Sequence, residues 1–120
     1  VRLLGRKPFA ELPAYLARCD VALIPFKLNE LTRAVNPIKL REYLSAGVPV
    51  VTTALPELLA FEGREGVDVV YDGAAFVAAV TRRLVAPADA PLRQRLSDSM
   101  RTESWSGRLD QMLGYLEHLR

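Results

Sequence analysis

The 120-residue chain has one cysteine, Cys19, and one histidine, His118. A lone thiol cannot close a disulfide within the chain and leaves no cysteine cluster for zinc, so a disulfide scaffold and a thiolate metal centre are excluded. Cys19 then reads as a small buried hydrophobe. His118 has no acidic or nucleophilic partner in sequence and suits the last, solvent-facing turn of a helix better than catalysis. Excess charge of one sign is also missing. Sixteen basic against 14 acidic residues leave +2, too little for a duplex nucleic-acid footprint. The arginines Arg82, Arg83, Arg93, Arg95, Arg101 and Arg108 read as a solvated helical face, because no aromatics are interleaved with them for base stacking. No apolar run approaches the roughly 18 residues of a membrane span, and no secretory leader pattern is present. These absences point to a cytoplasmic domain with no nucleic-acid partner, membrane span or metal. The chain opens on Val1 rather than methionine and enters an apolar run at once, so it reads as a fragment of a longer protein.

Half of the residues are hydrophobic and a quarter charged, the balance of an ordinary domain that buries roughly two thirds of its unfolded surface. Val1 to Leu4, ended by Gly5 and Pro8, predicts a short strand and turn. Leu12, Leu16 and Cys19 recur at helical spacing behind Pro13, predicting a helix that stops near Asp20. Val21 to Pro25 is a continuous apolar run, the pattern of a strand buried on both faces. Phe26 to Val35 shows no period and reads as a loop. Asn36 and Pro37 form a helix-start signal, and the helix Pro37 to Ala46 ends at Gly47. Val48 to Thr53 is the next strand, and Pro56 to Phe61 makes one or two helical turns. Val67 to Tyr71 is a fourth strand.

Asp72 then caps a helix from Gly73 to Val85 whose apolar face is Phe76, Val77, Val80 and Leu84. Pro91 to Thr102 carries a Leu92, Leu96, Met100 stripe. A last helix from Ser104 lines up Trp105, Leu109, Met112, Leu113, Leu116 and Leu119, with Trp105 as a packing anchor. Alternation of this kind predicts an α/β, Rossmann-like, mainly parallel sheet of about four strands with flanking helices and two C-terminal helices. In such sheets ligands bind beyond the carboxyl ends of the strands, here the loops after Pro25, Thr53 and Tyr71.

The densest chemistry lies between Asn36 and Val51. A helix N-terminus offers unpaired N–H groups and partial positive charge to a phosphate. Lys39 in its first turn opposes the helix field unless an anion sits there. Glu42 lies five residues past Pro37, about 7.5 Å along the axis, close to the separation of a diphosphate from its ribose. A carboxylate matches a vicinal diol. By position alone Glu42 reads as a solvated helix carboxylate paired with Lys39 or another neighbour, a reading that the surrounding signature reverses, and Asn36 and Pro37 as no more than a cap and a first-turn proline. Gly5, Arg6 and Lys7 read as a turn with solvated charges.

The pattern Pro37-x-Lys39-x-x-Glu42-Tyr43-Leu44-x-Ala46-Gly47-x-Pro49-Val50-Val51 resembles the donor-site signature of GT-B fold glycosyltransferases, in particular the family 4-like, group 1 set. Leu4-Gly5, Leu12 to Leu16 and Asp20 to Pro25 resemble the elements that precede the signature there, and Phe76 to Leu84 and Ser104-Trp105 with Arg108 resemble the closing helices. The resemblance implies that residues 1–120 are part of a C-terminal donor-binding domain, with the acceptor-binding N-terminal domain lying outside this chain. It implies transfer from a UDP-sugar or GDP-sugar, without cofactor or catalytic metal, to a glycan or lipid-linked acceptor, with a cytoplasmic enzyme peripheral at the inner membrane face. In similar enzymes the second glutamate of a Glu-x7-Glu pair contacts the donor ribose, which maps onto Glu42. The first falls on Ala34, and Glu30 is the nearest carboxylate to substitute. The expected donor-binding residues are therefore Glu42, Lys39, Ile38, Pro37, Asn36, Arg6 and Glu30, with no catalytic side chain among them. A non-catalytic nucleotide-binding or interaction module of the same fold is the alternative.

Overall fold

The computed structural model describes residues 1–118. Its centre is a parallel sheet in the order β1 (Ala22–Ile24), β2 (Val50–Thr53), β3 (Val67–Val70). Ala22 stands opposite Val50 and Ile24 opposite Thr52, while Val50 faces Val67 and Thr53 faces Val70. β2 is central and wholly apolar or β-branched, which suits a strand with helices on both faces.

Parallel neighbours require crossovers: two helices supply the one between β1 and β2, and the 3-10 segment Pro56–Phe61, where helical turns are expected, supplies the one between β2 and β3. Between β1 and β2 run α2 (Glu30–Arg33) and α3 (Lys39–Ser45); after β3 come α4 (Gly73–Val85), α5 (Ala90–Ser99) and α6 (Trp105–His118). A short α1 (Leu12–Leu16) precedes β1, entered through a 3-10 turn at Phe9–Glu11. The larger core lies on the α3 and α5 side, where Leu40 and Leu44 of α3 and Leu96 of α5 join Ile24, Val50, Leu58 and Phe61, all nearly without solvent contact. On the opposite face Val51, Val70 and Ala79 of α4 form a second cluster. The fold is thus the expected α/β sandwich of helices about a parallel sheet.

Local chemistry explains the element ends. Asp72 and Asp89 accept hydrogen bonds from the amides of Ala75 and Leu92, both at 2.8 Å, so α4 and α5 start on side-chain caps. α3 closes in a Schellman motif, with the Gly47 amide donating to Leu44 and the Val48 amide to Tyr43. Gly47 takes φ +73°, a left-handed value that a residue with a Cβ resists.

Five expectations need correction. Val1–Leu4 forms no strand: Val1 and Leu3 are exposed and the segment pairs with nothing among the described residues. An apolar run makes a strand only where a sheet edge accepts it. β1 is therefore an edge strand, and Leu23 is 44% exposed on the face that α4 covers only over β2 and β3. The loop after β1 contains α2, nucleated by a capping box between Asn29 and Thr32. The buried face of α4 centres on Ala79 with Ala75, Phe76 and Val80 beside it, leaving Val77 and Leu84 exposed. Small alanines, not the larger residues, let α4 approach the sheet. Finally, α6 has no buried residue, and Trp105 is 93% exposed rather than a packing anchor. Leu119 lies outside the described residues.

Arg82, Arg95, Arg101 and Arg108 are exposed, as a solvated face requires, and the arginines also tie elements together. Asp68 on β3 holds Arg82 and Arg83 of α4, each at 2.7 Å. Arg93 of α5 donates to the carbonyls of Ala17 and Cys19, closing the end of α1 against α5. Arg95 pairs with Glu65 and Arg101 with Asp98. Cys19 packs half-buried against the main core, its Sγ donating to the Tyr15 carbonyl, and His118 is exposed.

Candidate functional site

α3 has two faces. Leu40 and Leu44, one turn apart, enter the core, while Ile38, Arg41, Glu42 and Ser45 face away from it. Against that outward face stand Phe9, Leu12, Pro13 and Leu16 on one side and Glu103, Ser104, Trp105 and Arg108 on the other, and together they line an open cavity of about 860 Å³. That volume lies in the range of sites for nucleotide-sized ligands. Its lining is mainly apolar, with the charged groups gathered on α3 and the start of α6. A crossover helix runs antiparallel to its strands, so the Ile38 end of the cavity lies toward the carboxyl end of β1. The segments directly after β1, β2 and β3 contribute no lining residue. The cavity thus flanks the strand ends rather than crowning them.

Glu42 and Ile38 line this cavity, whereas Lys39, Pro37, Asn36, Arg6 and Glu30 do not. Glu42 is exposed and makes no ion pair or side-chain hydrogen bond among the described residues, so the pairing with Lys39 does not form. Its carboxylate is open to a ligand. Pro37 is buried and Lys39 exposed. Glu30 opens α2, and Arg6 lies exposed before the Phe9–Glu11 turn. Asn36 does not cap α3: its Oδ1 accepts from Arg41 Nη1 at 3.1 Å, and the residue ahead of the helix, Ile38, has helical backbone angles. The first turn closes tightly instead, with the Leu40 amide on the Pro37 carbonyl and the Arg41 amide on that of Ile38. The amides of Ile38 and Lys39 donate to no backbone carbonyl among the described residues. α3 therefore starts at Lys39, two residues later than the sequence signal implies, and offers two free amides rather than four.

Arg41 is held firmly. Its Nε donates to Glu103 Oε2 at 3.3 Å, and its guanidinium lies 5.1 Å from the ring centre of buried Phe61. Arg108 donates to the same Glu103 oxygen at 2.6 Å. Burial pushes the Glu103 carboxyl up, but the hydrogen bond from Arg41 and the charge of Arg108 outweigh it and hold the group below the usual carboxylate range. Burial, and then the Glu42 carboxylate, push the Tyr43 phenol up, so it stays neutral. Arg41 and Glu103 were not legible as a pair, since 62 positions separate them. Arg41's place beside Glu42 in the same motif was the only signal.

The depressed Glu103 carboxyl has a consequence for acid stability. A group whose folded pKa lies below its unfolded value contributes fully above the unfolded value and loses that contribution as pH falls through the folded one. The melting temperature of the wild type should accordingly decline through the acid limb below about pH 4.3, the ordinary glutamate value, more steeply than that of Glu103→Gln. Parallel curves from calorimetric melts across that range would contradict the ion-pair assignment.

A parallel α/β sheet with helices on both faces, flanked by a cavity whose unpaired carboxylate lies in the first turn of the crossover helix, defines a layered α/β domain of the doubly wound kind. Residues 1–85 match the family model described as glycosyl transferases group 1, and the chain belongs to that family. It is 32% identical, over a 111-residue alignment that covers 88% of the chain, to TuaH of Bacillus subtilis (strain 168), provisionally named a teichuronic acid biosynthesis glycosyltransferase. The chain spans 27% of the length of that relative. No solved structure matches it. No described helix is long and apolar enough to cross a membrane.

Proposed function

We propose that the cavity beside α3 holds a nucleoside diphosphate sugar, UDP- or GDP-linked, and that the full-length protein transfers its glycosyl group to an acceptor bound by a separate domain. The carrying observation is that Glu42, the signature glutamate, lines a cavity of about 860 Å³ with its carboxylate unpaired among the described residues. Family membership supports the reaction class. In this reading Glu42 accepts from the ribose hydroxyls, Ile38 borders the pocket, and the free amides of Ile38 and Lys39 face the diphosphate. Pro37 fixes the entry to the turn, and Asn36 acts through Arg41. Arg6 and Glu30 are placed further out, on the segments that lead to the pocket. Catalysis is then electrostatic, fixed donors stabilising the charge that grows on the leaving diphosphate, with no catalytic metal. The resemblance to TuaH supports a cell-envelope polysaccharide as the product. A glycan or lipid-linked acceptor at the inner membrane face follows from that reading.

Isothermal titration of the full-length protein tests the donor assignment. One of UDP and GDP should bind in the micromolar range, on the order of −8 kcal/mol, and the other at least about tenfold more weakly. Absence of heat with both, in a protein that remains folded, would overturn the reading in favour of a non-catalytic module.

A further inference from the structure

We propose that a second, smaller cavity at the amino end of β3 is an anion site, sized for a single phosphate group and separate from the cavity beside α3. It stands independently of the donor reading.

The cavity, about 260 Å³, lies between the Arg64–Glu65 turn that leads into β3 and the face of α5 that carries Arg95 and Ser99, continued by Thr102 in the 3-10 turn Arg101–Glu103. Arg95, Ser99 and Thr102 follow one another at spacings of four and three, so they share one helical stripe. Buried Leu44 and Leu96 complete the lining. The strands are parallel, so the start of β3 lies at the opposite end of the sheet from the loops after the strands. No residue lines both cavities.

Two guanidiniums and one carboxylate line the wall, which leaves one positive charge in surplus. Glu65 is taken up by Arg95, whose Nε and Nη2 donate to its two oxygens at 3.1 and 2.8 Å. Arg64 pairs with no carboxylate among the described residues. Glu62, two positions before it, lies outside the cavity wall and accepts instead from the Tyr71 hydroxyl at 3.1 Å. The Arg64 guanidinium is nonetheless held in place, 4.6 Å from the ring centre of buried Phe61. Stacking engages the flat face of the group and leaves its N–H edge free to donate.

The remaining donors come from the opposite wall. Arg95 keeps its Nη1 hydrogens, and the Thr102 hydroxyl has no hydrogen-bond partner among the described residues. Ser99 Oγ already donates to the Leu96 carbonyl at 2.7 Å and gives shape rather than a donor. A planar carboxylate is satisfied by one guanidinium fork, whereas donors on two facing walls suit an anion whose oxygens point in different directions. A volume of 260 Å³ falls below the roughly 300 Å³ at which cofactor-sized pockets begin. Phosphate or a small phosphomonoester fits, and a nucleotide does not.

Titration of the full-length protein with inorganic phosphate, followed by phosphorus magnetic resonance at an ionic strength held constant with chloride, is the test. Glycerol 3-phosphate serves as a second probe, and the tighter of the two tells a free phosphate from a phosphomonoester. The tighter probe should bind with a Kd on the order of 1 mM, whether or not UDP or GDP is present in excess. Arg64 is exposed, so its replacement should leave the fold intact. Arg64→Gln should weaken binding about tenfold, and Arg64→Lys by less. Arg18→Gln removes an equally exposed cation outside both cavities and should change nothing. Wild-type affinity in Arg64→Gln, or an equal loss in Arg18→Gln, would overturn the assignment. Displacement of the phosphate by UDP or GDP would move it to the cavity beside α3 and equally end the proposal, as would a folded wild type that binds neither probe.

Discussion

Gly47→Ala is expected to lower the melting temperature of the domain by about 10 °C, the largest stability effect of any single substitution considered. Gly47 ends α3 at φ +73°, where a Cβ costs ~1–2 kcal/mol in backbone conformation alone. A Cβ at this position would also stand 2.7 Å from the carbonyl oxygen of Arg93, on α5. That oxygen belongs to helix backbone and cannot swing aside, so α5 must move, at a cost of the order of overpacking, ~1–3 kcal/mol. The displacement would be felt at a distance, because Arg93 also donates to the carbonyls of Ala17 and Cys19. Gly63 provides the control. It has nearly the same backbone angle, φ +78°, but nothing within 4 Å of its virtual Cβ. Gly63→Ala should therefore show only the conformational part, a decrease of about 4 °C. Equal shifts for the two variants in thermal melts followed by circular dichroism would refute the steric part.

Gly47 also marks how far the sequence could be read. The signals that survived are those in which one residue type answers one local demand: a glycine for a left-handed turn, an aspartate for a helix cap, a β-branched run for the central strand. Asp72 and Asp89 cap α4 and α5, and β2 lies where its valines placed it. Readings failed where the answer depends on what stands opposite. Val1–Leu4 has the composition of a strand but no edge to join among the described residues. In α4 periodicity defines an apolar stripe, yet the approach to the sheet is set by Ala79, and Val77 is left outside. Trp105 was assigned to packing by size alone, whereas α6 finds no apolar layer beneath it. The structure extends 56 Å along its longest axis, and its radius of gyration of 16.0 Å exceeds the roughly 14 Å typical of a domain this size.

The site was legible to the same degree. Glu42 was singled out by its axial distance from Pro37 and by the resemblance, and it lines the cavity with Ile38, four positions earlier on the same helix face. Asn36 was misread because an asparagine before a proline-led helix is so often a cap. Its side chain is instead drawn to Arg41, which Glu103 and Phe61 hold within its reach. That arrangement depends on the chain returning through α5 to bring Glu103 beside α3, and no local spacing encodes it.

Glu42→Ala should reduce the affinity for the bound nucleoside diphosphate at least about tenfold, the largest functional effect expected. The exposed carboxylate has no partner within the described chain, so its removal leaves no buried charge behind and should alter stability by less than ~0.5 kcal/mol. A loss of binding at unchanged melting temperature therefore reports a ligand contact. Glutamine distinguishes charge from shape: it keeps one acceptor oxygen but presents an NH₂ group to the second hydroxyl, so Glu42→Gln should fall between the wild type and Glu42→Ala. The ribose itself supplies the second half of the cycle. Against the wild type, the 2′-deoxynucleoside diphosphate should bind several-fold more weakly than its ribose counterpart, having lost one of the two hydroxyls that the carboxylate accepts from. Against Glu42→Ala the two should bind alike, because the group that tells them apart is gone. That non-additivity is the signature of direct contact. A full ribose preference persisting in Glu42→Ala would place the diol elsewhere in the cavity, and wild-type affinity in both variants would end the assignment of Glu42 to the donor.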